Sequence, residues 1–231
     1  MAEWSTYTLR DLLLFSARTY YRLFEIYNDA IRPAQDLAVL LGIVVMLLLW
    51  RRSNTASRPI AGLLAAGWLW TGVAFLAKRY AAINWSAAYF AWAFAAEAAL
   101  LLILGVARTD VVFERPSDLR GRVGVGLFLF AVAVVPFVDP LLGRGWKGSQ
   151  FFLLCPDPTA IGTLGLLLCT RVRGRWPLLL WIVPVLWCFY TAIFLAAMKS
   201  PEWFVAPLAA GLAVIATRFR ERRDNRVQEG C

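Results

Sequence analysis

The sequence predicts an all-α, polytopic membrane protein with about seven transmembrane helices, and three observations carry that expectation. First, 60% of the 231 residues are hydrophobic and mean hydropathy is +0.62, against about 45–50% apolar residues in an ordinary soluble domain. Second, the apolar residues come in runs near the ~20 that a helix needs to cross a ~30 Å hydrocarbon layer. Third, the charge lies between those runs, as 21 arginines and only three lysines, Lys78, Lys147 and Lys199. A formal charge of +9 is compatible with nucleic-acid binding. Its placement in short links is instead the signature of loops facing the cytoplasm, so no nucleic-acid partner is expected.

Residues 1–32 precede the first apolar run and form the first of three regions. They are not a signal peptide, because Arg10, Asp11, Arg18, Arg22, Glu25 and Asp29 interrupt any apolar stretch. Thr8 and Asp11 have capping-box spacing, and Leu9, Leu13, Ala17, Tyr20, Phe24, Tyr27 and Ile31 recur every three or four residues. The charges make the opposite stripe. This pattern predicts an amphipathic helix over 8–30, lying at the membrane interface or packed over the bundle.

The second region, 33–217, is the membrane bundle. Its spans are expected at Pro33–Trp50, Ile60–Ala77, Ser86–Ala107, Val123–Leu142, Phe151–Thr170, Trp176–Ala197 and Trp203–Thr217. Trp50, Trp85, Trp146, Trp176 and Trp203 fall near span ends, where indole rings settle at the headgroups. The basic tail, 218–231, reads as a topology anchor attracted to anionic lipid. Links after the first, third and fifth spans plus the tail hold 15 Lys and Arg, and the opposite side holds 9. That places the N-terminus outside and the C-terminus in the cytoplasm, across a plasma membrane. Residues 71–78 resemble 191–199, each preceded by Leu-Trp, which suggests a parallel 3+1+3 repeat of the kind used by some carriers.

Several strings resemble a known family. Residues 4–35, Ile83-Asn84-Trp85, Pro156-Asp157-Pro158-Thr159 and Leu186-Trp187-Cys188 look like a family of bacterial multi-pass membrane proteins of unknown function, sometimes labelled permease-like. The resemblance covers essentially the whole chain. It implies the architecture and no activity, substrate or functional residue.

The chain has no histidine, which removes the commonest metal ligand and the usual general base. No cofactor, metal or catalytic constellation is expected, and the chain does not read as an enzyme. Cys155, Cys169, Cys188 and Cys231 offer no disulfide pair on this topology. Glu97 lies halfway along the third span, where an ionisable group costs at least ~2.5 kcal/mol on insertion scales. It reads as a proton- or cation-binding carboxylate, or as a hydrogen-bonded strut between helices. Cys155-Pro156-Asp157-Pro158 interrupts the fifth span. The simpler reading makes 151–154 an interfacial loop and starts a short helix at Pro158 with Asp157 as N-cap; a discontinuous, site-forming helix is the alternative. Asp36, Lys78, Arg79, Asp139, Asp157 and Glu202 all map to outer span ends, as a charged vestibule or as ordinary headgroup-level charges. Gly143-x-Gly145-x-x-Gly148 matches a dinucleotide pattern, but no strand precedes it and it reads as a flexible turn.

The leading expectation is a small permease or channel that works as a homo-oligomer and moves a small solute or ion past Glu97. The competing one is a membrane accessory or scaffold protein whose N-terminal helix binds a membrane partner. A polar cavity reaching Glu97 favours the first, and a dry bundle beneath an exposed apolar patch favours the second.

Overall fold

A computed structural model describes residues 15–51 and 56–228, with side chains of the last helix described through Arg218. Among the described residues the chain forms eight helices: α1 Ala17–Ala30, α2 Ala34–Trp50, α3 Ser57–Ala82, α4 Ala87–Ala107, α5 Leu119–Leu141, α6 Pro156–Leu168, α7 Trp176–Ala197 and α8 Val205–Gln228. A two-stranded antiparallel ribbon, β1 Val111–Phe113 with β2 Thr170–Val172, pairs Val112 with Arg171.

α1 forms over only the later part of the expected 8–30 helix, because Phe15 and Ser16 are not helical and the chain at Ser16 is extended. Ser16 caps it, its hydroxyl accepting from the Thr19 N–H at 3.2 Å. Tyr20, Phe24 and Tyr27 are buried while Arg18 and Arg22 are exposed. The apolar stripe packs on the bundle, with Phe24 and Tyr27 ring centroids 4.7 and 5.1 Å from Phe75. The expected Thr8–Asp11 capping box lies outside the described residues. An 88° bend separates α1 from α2.

The expectation of seven spans is not met by length and composition. Four helices, α3, α4, α5 and α7, are long and apolar enough to cross a membrane, or five spans if the bent α1–α2 pair is one. α6 has 13 residues, about 20 Å of helix at ~1.5 Å per residue, and cannot cross alone. α2, with 17 residues, reaches only about 25 Å. The apolar part of α8 ends near Thr217, although the helix continues to Gln228.

Burial in the bundle is arranged from the centre outwards. All 13 residues of α6 are buried, making it the axis that the other helices surround. The perimeter is apolar: along α7, Ile182, Leu186, Phe189 and Ile193 are all about half exposed, at steps of four, three and four. Trp50, Trp85, Trp146, Trp176 and Trp203 are exposed, as are Trp70 and Trp92 within the expected spans, whereas Trp68 and Trp187 are buried. The helices at the first and fifth expected spans are not equivalent. α2 lies on the flank with Leu37, Leu40, Ile43 and Leu47 exposed, and α6 is central, so the structure lends the expected repeat no support.

The links gather at two ends. At one, the Asn28 amide donates to the Lys147 and Ser149 carbonyls (2.7 and 2.8 Å), Tyr21 bonds Ser200 (2.6 Å) and Asn84 bonds Tyr190 (2.9 Å). At the other, the ribbon joins the α4–α5 link to the α6–α7 link.

Candidate functional site

The site begins with the broken helix. Residues 152–155 are buried, which corrects the expectation of an interfacial loop. Leu153 takes a positive φ of 68°, turning the chain back before the helix starts. Side chains serve the backbone groups this turn exposes. The Leu153 N–H donates to Thr159 Oγ1 (2.9 Å), Thr71 donates to the Leu153 carbonyl (3.2 Å), and Tyr27 donates to the Leu154 carbonyl (2.9 Å). Non-helical backbone is tolerated inside a bundle on that condition. The helix starts at Pro156, with Cys155 rather than Asp157 as N-cap. Both prolines fall within the first turn, whose N–H groups have no helical partner in any case, so neither breaks a bond.

Asp157 therefore sits in the first turn of α6, inside the molecule and favourably placed for a negative charge. Its Oδ1 accepts from Trp187 Nε1 at 2.7 Å and from Thr191 Oγ1 at 2.8 Å, donors one helical turn apart on α7. Beside it lies a cavity of about 40 Å³ lined by Asp139, Arg144, Gln150, Asp157 and Glu202 among apolar side chains. Arg144 bridges Asp139 and Glu202, each at 2.5 Å, and its guanidinium carbon stacks 4.0 Å from the Tyr21 ring centroid. Tyr21 also donates to Glu202 at 2.8 Å. Burial pulls the Arg144 pKa down, but Glu202 and Asp139 outweigh it and hold the group above its ordinary range. Burial likewise pushes the Tyr21 phenol up. Glu202 Oε2 and Gln150 Oε1 are buried with no hydrogen-bond partner among the described residues. Three carboxylates against one guanidinium leave the chamber an excess of acceptors, which suits a proton, water or small cation.

Glu97 is fully buried in α4, and neither oxygen has a hydrogen-bond partner among the described residues. It lines neither the chamber at Asp157 nor the cavities along α2 and at the opposite end. The hydrogen-bonded strut is not observed either. The expected vestibule is brought together only in part: Asp139, Asp157 and Glu202 meet, while Asp36 and Lys78 are exposed and, with Arg79, do not line the chamber. Arg144, Gln150, Tyr21, Trp187 and Thr191 were not anticipated as site residues. Arg144 carried one legible signal, its place between two glycines. Gly143 and Gly145 take φ of 77° and 76°, a conformation cheap only for glycine, so this is a defined turn that presents Arg144 inward rather than a flexible one.

No curated protein and no solved structure matches the chain. A family model described as "Family of unknown function (DUF6064)" matches residues 17–229, a stretch that includes α1, the broken helix and every residue of the chamber. The chain belongs to that family.

Proposed function

We propose that the chain is a polytopic protein of the bacterial inner membrane that conducts or carries a proton or small cation, with Asp157 as the binding carboxylate. The membrane reading is supported by the four long apolar helices and by the apolar perimeter, which would be an aggregation liability in water. One observation carries the site: a carboxylate at the head of a helix that starts inside the molecule, opening on a chamber shared with Asp139, Arg144, Gln150 and Glu202. Discontinuous helices of this kind place ion sites in many transporters. A chamber of about 40 Å³ has room for about one water at ~30 Å³ each, not for an organic solute. The binding group thus moves from Glu97 to Asp157.

The accessory or scaffold reading has its own support. An apolar groove of about 490 Å³ runs between α2 and α5, and Glu97 lines no cavity described above.

Proteoliposome flux of H⁺, Na⁺ and K⁺ separates the two. Asp157→Asn should cut flux at least tenfold while Glu97→Gln leaves it within twofold. Wild-type flux no greater than that of empty liposomes for all three ions would sink the transport reading and leave the accessory one.

A further inference from the structure

At the end opposite the chamber, the ribbon does something that the span-by-span charge count does not reveal. The α4–α5 link and the first turn of α5 carry Arg108, Arg115, Arg120 and Arg122, and the α6–α7 link carries three more arginines. Pairing of β1 with β2 fuses these links into one platform, extended by the Arg173 N–H donating to the Asp110 carbonyl at 2.8 Å. Against these seven arginines the two links supply only Asp110, Glu114 and Asp118 as acids.

The platform holds a cavity of about 210 Å³ between the ribbon and the start of α5, lined by Arg115, Ser117, Arg120 and Arg171 together with Glu114 and Asp118. Its acids are already engaged. Glu114 pairs with Arg171 at 2.8 Å, and Asp118 caps α5 by accepting from the Gly121 N–H at 2.8 Å. Arg120, buried to 9% exposure, donates to the Leu167 and Thr170 carbonyls at 3.0 and 3.2 Å and so closes the C-terminus of α6. Arg115 has no ion-pair or hydrogen-bond partner among the described residues. The cavity therefore combines a guanidinium without a partner among the described residues, a second held at the rim by a single carboxylate, a hydroxyl, and the N-terminus of a 23-residue helix whose Gly121 N–H Asp118 already caps.

We propose that this cavity binds a phosphate group, carried either by an anionic phospholipid or by a small phosphorylated solute. Guanidinium forks match phosphate oxygens in pairs, and clustered arginines at a membrane surface attract anionic headgroups. The site is independent of the Asp157 chamber and of whether the chain transports anything.

The test uses the full chain in a neutral detergent and follows the rise in melting temperature with added short-chain phosphatidylglycerol, short-chain phosphatidylcholine and inorganic phosphate. Two double variants remove equal charge from different parts of the platform: Arg115→Gln with Arg171→Gln at the cavity, and Arg108→Gln with Arg173→Gln at the far end of the ribbon. Arg120 is left in place because it closes α6. The cavity pair should weaken the apparent affinity for phosphatidylglycerol at least tenfold, and the ribbon pair less than threefold. A response to phosphatidylglycerol but not to phosphate assigns a lipid source, and a response to phosphate alone assigns a solute. No response to either probe in the wild type, or equal loss in both double variants, overturns the site.

Discussion

Glu97 holds two carboxyl oxygens in the buried face of α4 with no donor beside them among the described residues. An unpaired buried polar group costs of order 1–3 kcal/mol in mutational data, and replacing it with an apolar side chain of similar volume relieves that cost. Glu97→Leu should therefore raise Tm in detergent, by an amount equivalent to about 1–3 kcal/mol; a lower Tm would reveal a partner that the bundle conceals. This is the opposite sign from the one a strut between helices predicts. Asp157 differs because two donors fix one of its oxygens, so its geometry is set before any ligand arrives. The sequence makes both carboxylates conspicuous, since any acid amid apolar residues stands out. It cannot rank them, because the ranking depends on which helix faces each one.

The element that decides the architecture is α6, and its central place depends on close approach to α5. A Cβ on Gly124 would sit 2.5 Å from the Gly165 carbonyl oxygen, and one on Gly165 would sit 2.6 Å from the Gly124 carbonyl oxygen. The two glycines thus let the backbones touch, as small residues do between membrane helices. Two residues further along the chain, Gly126 has nothing within 4 Å of its Cβ position. Gly124→Ala should destabilise by about 1–3 kcal/mol through overpacking, while Gly126→Ala should be neutral or stabilise by up to about 1 kcal/mol. Thermal melting of the two variants side by side checks this, and equal losses would argue against the α5–α6 contact. The Cys-Pro-Asp-Pro break was legible as a helix start, but not the burial of residues 152–155, because nothing local records that Tyr27 and Thr71 reach the carbonyls there.

For the molecule as a whole, the side-chain bonds sort the links into two ends. α1 covers one end through Tyr21, Asn28 and Asp29, the last paired with Lys147 at 3.3 Å. The ribbon and the arginine platform form the other. If the bundle crosses the membrane, the link around Gly148 and the C-terminal tail must face opposite compartments. Enzyme reporters fused at each position should then report periplasm for Gly148 and cytoplasm for the tail. Two reporters on the same side would defeat the arrangement.

By itself the sequence determined what depends on one segment at a time. Apolar run length set where most helices lie, period set the buried stripe of α1, and the alternation of charged links set which links share an end. Those properties are local because insertion, helix winding and interface preference act on contiguous residues. Only the tertiary structure decided that α6 is a short buried axis rather than a span, that Arg144 turns inward to bridge Asp139 and Glu202, and that two basic links fuse into one platform. Each of these joins residues far apart in the chain, and packing between helices, which decides them, leaves no period in the sequence of either partner.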